Sequence, residues 1–367
     1  MAKMTKERML EIVNENISKM KEKKFNVFFF VLDTKGNPSS ALEYIYKTAK
    51  VLNDKGYNVT MLHNEKDFVG VGDWLGKEYA ELKHSNIEKD NVETSPSDFL
   101  FIPEIFANVM LQTKALSCKR VVIVQTAEHI TEFMPASHTF NTLNITDAII
   151  TTEAQRRRLN SYFYGIRTHK VSPSVRDFFK DGKEPKKLLI NIVSKEQSDI
   201  NKIVKPFYWK NPMYKWVSFR DLRGLPQEMF ANALREAAFT IWVDDKTSFG
   251  YTPLEALRCG AITIGKIPNE LADWMEQGDT LCSSILWFDS YDDLTSTFLP
   301  NLVNGWINDT IPEEIYTNGK LLDETYTEKQ QEEEIKQAYI TELFEHRLKE
   351  FEETKADIEN NRLKIEE

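Results

Sequence analysis

AAFTIWVDDKTSFGYTPLEALRCGAITIGKIPNELADWM, residues 237–275, carries more architectural information than any other part of the chain. It opens with an apolar strand, Phe239 to Val243, followed by a polar loop containing Phe249-Gly250 and a helix that starts near Pro253. Cys259-Gly260 stops the helix, a second apolar run follows from Ala261 to Ile264, and another helix is expected after it. Two strands of the fully buried type joined by a short helix describe a parallel β-α-β unit. Such sheets hold ligands where strands end and helices begin, because helix N-terminal amides and the helix dipole favour phosphate there. Glu255 falls in the first turn of that helix, beside that position.

On either side the same alternation continues. Lys187 to Val193 is another buried strand, Trp216 to Phe219 a shorter one, Gln227 to Ala238 a helix, and Leu286 to Phe288 a last strand before a helix. Upstream, Phe25 to Leu32 (FNVFFFVL) reads as a strand covered on both faces. The loop Asp33 to Ser40 leads into a helix from Ala41 to Lys55, closed by Gly56, and Tyr57 to Leu62 is the next strand. Phe99 to Ile102, Arg120 to Val124 and Ala148 to Thr151 complete a doubly wound α/β domain. The expected division is residues 1–172 (with a leading amphipathic helix over 1–24), 173–312, and a charged helical extension over 313–367. In that extension Phe344, Phe351, Ile358 and Ile365 recur every seven residues, but Lys355 and Arg362 interrupt the companion positions. A helix crossing back onto the first domain, then a protruding end, is the first expectation; a homo-oligomer through this helix is the second.

Residues 237–275 resemble the donor-site signature of retaining family 4 glycosyltransferases, which have the type B glycosyltransferase fold. Ser248-Phe249-Gly250, Pro253-Leu254-Glu255-Ala256, Cys259-Gly260 and the following strand match that signature in order and spacing. The signature's leading Glu is replaced by Thr247. The resemblance implies two Rossmann-like domains with a nucleotide-diphosphate sugar held on the second. Glu255 would hold the ribose hydroxyls, and Thr247, Ser248 and the amides near Phe249, Gly250 and Tyr251 would meet the sugar and diphosphate. A family glycine in the first loop approaches donor and acceptor, and Gly36 is its counterpart; its alternative role is simply to turn the chain. Family members commonly carry His-Thr after a later strand, where this chain has Gln125-Thr126, with His129 nearby. The diphosphate is clamped in the family by an Arg and a Lys, for which Lys195 and Lys202 are the stand-ins here, or else two surface lysines. Paired cations suit this role because they offset charge as the glycosidic bond breaks, although Lys gives a point contact where Arg would be bidentate.

The remaining motifs are read more plainly. Gly70-Val71-Gly72-Asp73-Trp74-Leu75-Gly76 lacks both the spacing and the β-α context of a dinucleotide fingerprint. Arg156-Arg157-Arg158 cannot all face one way and reads as solvated surface. Pro206 to Lys210 and Met213 to Trp216 interleave aromatics with bases, as single-stranded nucleic-acid platforms do, but core packing is the expectation. Cys118, Cys259 and Cys282 are widely spaced in or beside apolar runs, which suits free buried thiols better than disulfides or a metal site.

The 367 residues, 41% hydrophobic and 28% charged, suffice for two cores, and a net charge of −10 disfavours a general nucleic-acid or anionic-membrane binder while allowing a local basic patch. No transmembrane run or signal core is present in the sequence, and a cytoplasmic protein is expected. No Asp-x-Asp motif or metal-ligand spacing occurs, so the expected chemistry is metal-independent; the resemblance implies transfer of a hexosyl or pentosyl group with retention, without a cofactor. Glu255, Thr247, Ser248, Phe249, Gly250, Tyr251 and Gly36 are the candidate donor-binding residues, and Lys195, Lys202 and Gln125 the candidate catalytic ones. Two alternatives stand beside this reading: a catalytically inactive binding or assembly module on the same fold, and a nucleobase-modifying glycosyltransferase. The acceptor is not legible.

Overall fold

The computed structural model describes residues 5–183, 185–246, 249–276, 278–312, 315 and 318–360. Two parallel sheets organise these residues. The first comprises β1 (Asn26–Phe30), β2 (Asn58–His63), β3 (Lys83–Asn86), β4 (Phe99–Pro103), β5 (Lys119–Val124), β6 (Asp147–Ile150) and β7 (Arg167–Lys170) in the order β3-β2-β1-β4-β5-β6-β7. The second comprises β8 (Lys187–Ser194), β9 (Ser218–Asp221), β10 (Ala237–Val243), β11 (Ile262–Lys266) and β12 (Leu286–Phe288) in the order β12-β11-β10-β8-β9. Each sheet reverses strand order once, between β1 and β4 and between β8 and β10. At such switch points the loops leaving adjacent strands diverge and open a crevice at the carboxyl ends.

By their contacts the residues form two compact units. The first takes the chain up to Ile150, Arg158–Val171 and everything from Glu332 onward; the second takes Thr151–Arg157 and Ser172–Gln331. The central strands β4 and β10 are buried along their whole length, because parallel strands are covered on both faces.

In the first unit one face of the sheet is closed by the chain's last helical stretch. Glu328–Ile335 and Glu345–Glu359 are α-helical, and Lys336–Phe344 between them is π-helical. Tyr339, Leu343, Phe344, Phe351 and Ile358 are buried in the same cluster as Phe25, Phe29, Phe99 and Phe101. Phe344 packs against Phe99 at 4.6 Å and Phe25 at 5.1 Å, and Tyr339 against Phe101 at 4.8 Å between ring centroids. The sevenfold stripe is thus the inner face of this helix; Ile365 and Arg362 lie outside the described residues. The helix enters through Thr327, whose hydroxyl accepts from the Gln330 amide at 3.1 Å, while Gln330 Oε1 accepts from the Tyr326 amide at 3.1 Å. Thr327→Ala is expected to lower stability by about 1 kcal/mol, read as a small drop in the urea midpoint.

At the opposite edge from β3, a buried carboxylate ties three strands together. Asp147 on β6 takes a bidentate pair from Arg167 on β7 (both 2.9 Å), Lys119 Nζ from β5 at 2.8 Å and His169 Nε2 at 3.0 Å. The other ring nitrogen of His169 faces Glu342 of the π-helical stretch at 2.7 Å. Burial alone would raise the Asp147 carboxyl, but hydrogen bonds from His169 and Arg167 and the Lys119 ammonium outweigh it and hold it far below the ordinary carboxylate range.

Several elements depart from the sequence expectations. β3 and β7 are short polar edge strands with no apolar run to announce them. The helix expected after β11 is a loop with one 3₁₀ turn, Asp273–Met275. Trp274 in that turn is fully buried and its indole N–H donates to the Phe249 carbonyl at 2.7 Å, a placement the irregular backbone makes possible. Core packing was expected for the aromatics after Pro206, yet only Phe207 is fully buried, while Trp209, Met213 and Trp216 are exposed. The thiols of Cys118 and Cys259 are buried and free, and burial pushes them up to about 11 and about 12; Cys282 is free and half-buried. Among the described residues no helix is long and apolar enough to cross a membrane.

Candidate donor site

In the second unit the candidate residues gather at the carboxyl ends of β8, β10 and β11. Lys195 follows β8 directly and Asp244 follows β10 directly, and their side chains meet across the switch point at 3.0 Å. Lys195 is largely exposed and Asp244 largely covered, so the carboxylate holds the ammonium group at the mouth of the crevice. Lys202 lies on the helix Gln197–Lys210 that follows, paired with Asp199 at 3.1 Å. Asp199 also accepts from the Tyr291 hydroxyl at 2.9 Å and from Ser194 at 3.0 Å. Burial would raise the Asp199 carboxyl, but Lys202, Tyr291 and Ser194 together hold it below the usual range. The Tyr291 ring carries Lys202 on it at 5.2 Å and Lys266 at 5.5 Å, and Lys266 in turn pairs with Asp245 at 2.8 Å. Three lysines therefore converge on this end of the sheet, each balanced by its own aspartate. An arriving polyanion has cations to recruit, at the cost of displacing those carboxylates.

The loop after β10 and the helix Tyr251–Arg258 supply the other candidates. Gly250 stands at the helix N-cap in the left-handed region, φ +71°. A β-carbon there would meet Met275 Cε at 2.5 Å, Trp274 Cζ2 at 3.2 Å and Trp242 Cη2 at 3.4 Å, so the loop passes over a packed aromatic floor that, with the left-handed backbone, favours glycine. Phe249 is buried, and its ring meets Tyr251 at 5.0 Å and Tyr326 at 5.3 Å. Glu255 is buried in the body of this helix, as are its chain neighbours Leu254, Ala256 and Leu257. Thr247 and Ser248 lie outside the described residues.

The first unit has its own cluster at strand carboxyl ends. Gly36 turns the loop after β1 with φ +80°, next to Asp33, which accepts from the Lys35 amide at 2.9 Å, Lys35 Nζ at 2.8 Å and the Val69 amide at 3.1 Å. Gln125, just past β5, donates its side-chain amide to the Ala41 carbonyl at 3.1 Å. Glu104, just past β4, is buried and accepts from the Thr126 amide at 2.9 Å, with His129 Nδ1 at 3.4 Å. The structure thus brings Gly36 and Gln125 to the carboxyl-terminal edge of one sheet, and Lys195, Lys202, Phe249, Gly250, Tyr251 and Glu255 to that of the other. Sequence reading did not single out Glu104, Asp199 or Tyr291. Asp199 had a signal, since it stands three residues before Lys202 on a helix; Glu104 had a weaker one, its place directly after an apolar strand. Among the described residues no group of three His, Cys, Asp or Glu side chains is placed to hold a metal ion.

No family model matches the chain. Over 271 residues it is 22% identical to an alpha-1,6-glucosyltransferase of Actinobacillus pleuropneumoniae serotype 7, a match covering 69% of this chain and 78% of that protein. Sucrose-phosphate synthase from Thermosynechococcus elongatus superposes with a TM-score of 0.61 at 11% identity, covering 86% of this chain and 98% of the synthase. The pneumococcal O-GlcNAc transferase GtfA, solved with UDP and GlcNAc, superposes with a TM-score of 0.61 at 10% identity, covering 91% of this chain and 99% of the transferase. Its two parallel-sheet α/β units give this chain the type B glycosyltransferase fold.

Proposed function

We propose that this protein is a glycosyltransferase that moves a hexosyl or pentosyl group from a nucleoside-diphosphate donor to an acceptor hydroxyl. The observation that carries the reading is the buried Glu255 carboxylate in the helix that starts at the carboxyl end of β10, behind a loop that favours glycine. In this reading Glu255 accepts the ribose hydroxyls, and the loop from Thr247 to Tyr251 meets the sugar and diphosphate. Lys195 and Lys202 exchange Asp244 and Asp199 for phosphate oxygens and offset charge on the departing diphosphate. Gly36 and Gln125 keep the sugar and acceptor roles that the resemblance implies for them. The transfer proceeds with retention and without a metal ion or cofactor, as in the family whose signature the 237–275 stretch resembles. The glucosyltransferase relative and the UDP in the GtfA structure make UDP-glucose the first donor to try.

The test is calorimetry with UDP-, GDP-, ADP- and dTDP-sugars on the wild type, Glu255→Gln and Glu255→Ala. One sugar nucleotide should bind the wild type, and loss of charge-assisted hydrogen bonds to the ribose should weaken it about 10- to 100-fold in both variants. Melting temperatures of the variants separate a lost contact from a lost fold. No binding anywhere in the panel would sink the proposal.

One observation favours a second reading, a nucleotide-binding or assembly module without turnover: the lysines of the site are already neutralised by aspartates. Donor binding without release of the free nucleotide, with or without acceptor sugars, would select it.

A further inference from the structure

From Ile200 to Arg220 the chain reads INKIVKPFYWKNPMYKWVSFR, with Lys202, Lys205, Lys210, Lys215 and Arg220 and not one Asp or Glu, in a protein whose net charge is −10. The structure sorts its apolar residues into two sets. Phe207 and Val217 are buried, and Tyr208, Tyr214 and Phe219 pack on the same core. The Tyr208 hydroxyl donates to the Val217 carbonyl at 2.6 Å, and the Asn211 amide donates to the Phe207 and Thr295 carbonyls at 2.9 Å and 2.8 Å. These contacts brace the end of the helix Gln197–Lys210 and the 3₁₀ turn Pro212–Tyr214 into one rigid corner. From that corner Trp209, Met213 and Trp216 project outward, 75%, 65% and 59% exposed.

The cations divide in the same way. Lys202, Lys210 and Arg220 are tied to Asp199, Asp292 and Glu236. Lys205 and Lys215 have no ion-pair partner among the described residues and are exposed. Lys205 lies one helical turn before Trp209 on the same face, and Lys215 adjoins Trp216.

We propose that this corner docks on an anionic phospholipid bilayer. Two indoles and a thioether exposed on a braced turn suit the boundary between headgroups and acyl chains, where amphipathic rings settle. Lys205 and Lys215 have stems long enough to keep their ammonium groups among anionic headgroups while the rings enter. Screening over about 8–10 Å keeps the acidity of the rest of the chain from dominating at the contact. Met213 and Pro212 at the turn offer no π-face and no strong hydrogen-bonding group, which suits acyl chains better than nucleobases. The corner lies at the far end of a 14-residue helix from Lys195, about 20 Å away along its axis. Docking there leaves the carboxyl ends of the strands open to soluble ligands, so this surface is independent of the proposed donor site.

The test is flotation of the full chain with phosphatidylcholine vesicles, with and without phosphatidylglycerol. The wild type should float with the anionic vesicles, and acyl chains brominated near the headgroup should quench its indole fluorescence. Trp209→Ser/Trp216→Ser and Lys205→Glu/Lys215→Glu should each weaken partitioning about tenfold or more, with melting temperatures unchanged. Absence of flotation, equal binding to uncharged vesicles, or variants that float as the wild type does would overturn the proposal. So would binding of a single-stranded oligonucleotide, or self-association in light scattering, that the same substitutions abolish while vesicles are ignored.

Discussion

Gly250→Val should cost about 2–5 kcal/mol of stability and abolish sugar-nucleotide binding. Two effects add. A β-branched residue held at φ +71° pays for a left-handed backbone, about 1–2 kcal/mol. Its β-carbon would also lie 2.5 Å from Met275 Cε, and forcing extra carbon into a packed site costs about 1–3 kcal/mol. Met275 can swing its terminal methyl aside and Trp242 stands at ordinary contact distance, but Trp274 at 3.2 Å yields poorly, since it is buried and anchored to the Phe249 carbonyl. The loop must therefore lift, taking with it the amides proposed to meet the donor. Gly36→Ala is the internal control: its β-carbon would meet only Val69 Cγ1, at an ordinary 3.7 Å, leaving backbone strain of about 1 kcal/mol. Urea denaturation of both variants checks the ordering, and near-equal losses would refute the role given to the aromatic floor.

Asp147→Asn should be at least as damaging, about 3–5 kcal/mol, because it leaves Arg167, Lys119 and His169 facing a neutral amide in a buried setting. Its signature is the pH dependence. The folded pKa of Asp147 is depressed, so its contribution is fully present above the unfolded value of about 3.9 and is lost as pH falls below it towards the folded value. Wild-type stability should therefore decline steeply below about pH 4, and the variant should have a shallower acid limb. A variant that keeps the wild-type slope would show that other carboxylates set the acid limit.

How much of this could be read beforehand depended on how each element is covered. Strands such as β1, β4 and β10 are buried on both faces, so selection for burial leaves a nearly uninterrupted apolar run that a single sequence displays. β3 (KHSN) and β7 (RTHK) stand at sheet edges, where one flank is solvent and no such run is required. Trp209 and Trp216 were misread because hydrophobicity records what a side chain prefers and not where the backbone aims it; a helix end and a 3₁₀ turn rephased them outward. At the site, the motif residues Phe249, Gly250 and Glu255 were legible because backbone geometry and packing restrict them locally. The aspartates that engage the lysines were only partly so. Asp199 is a helical neighbour of Lys202, but Asp244 reaches Lys195 from a strand that follows a whole crossover later, and no spacing rule announces that pairing.

The helical stretch that closes the first domain is made last. Phe25, Phe29, Phe99 and Phe101 leave the ribosome early, but Tyr339 and Phe344, which cover them, follow only after all of Ser172–Gln331 has been translated. At about 5–20 residues per second, the nascent chain carries an unroofed aromatic face for on the order of ten seconds, a standing invitation to chaperones and to misassembly. The second domain can finish folding before the first is able to, which inverts the usual amino-to-carboxyl order of domain maturation.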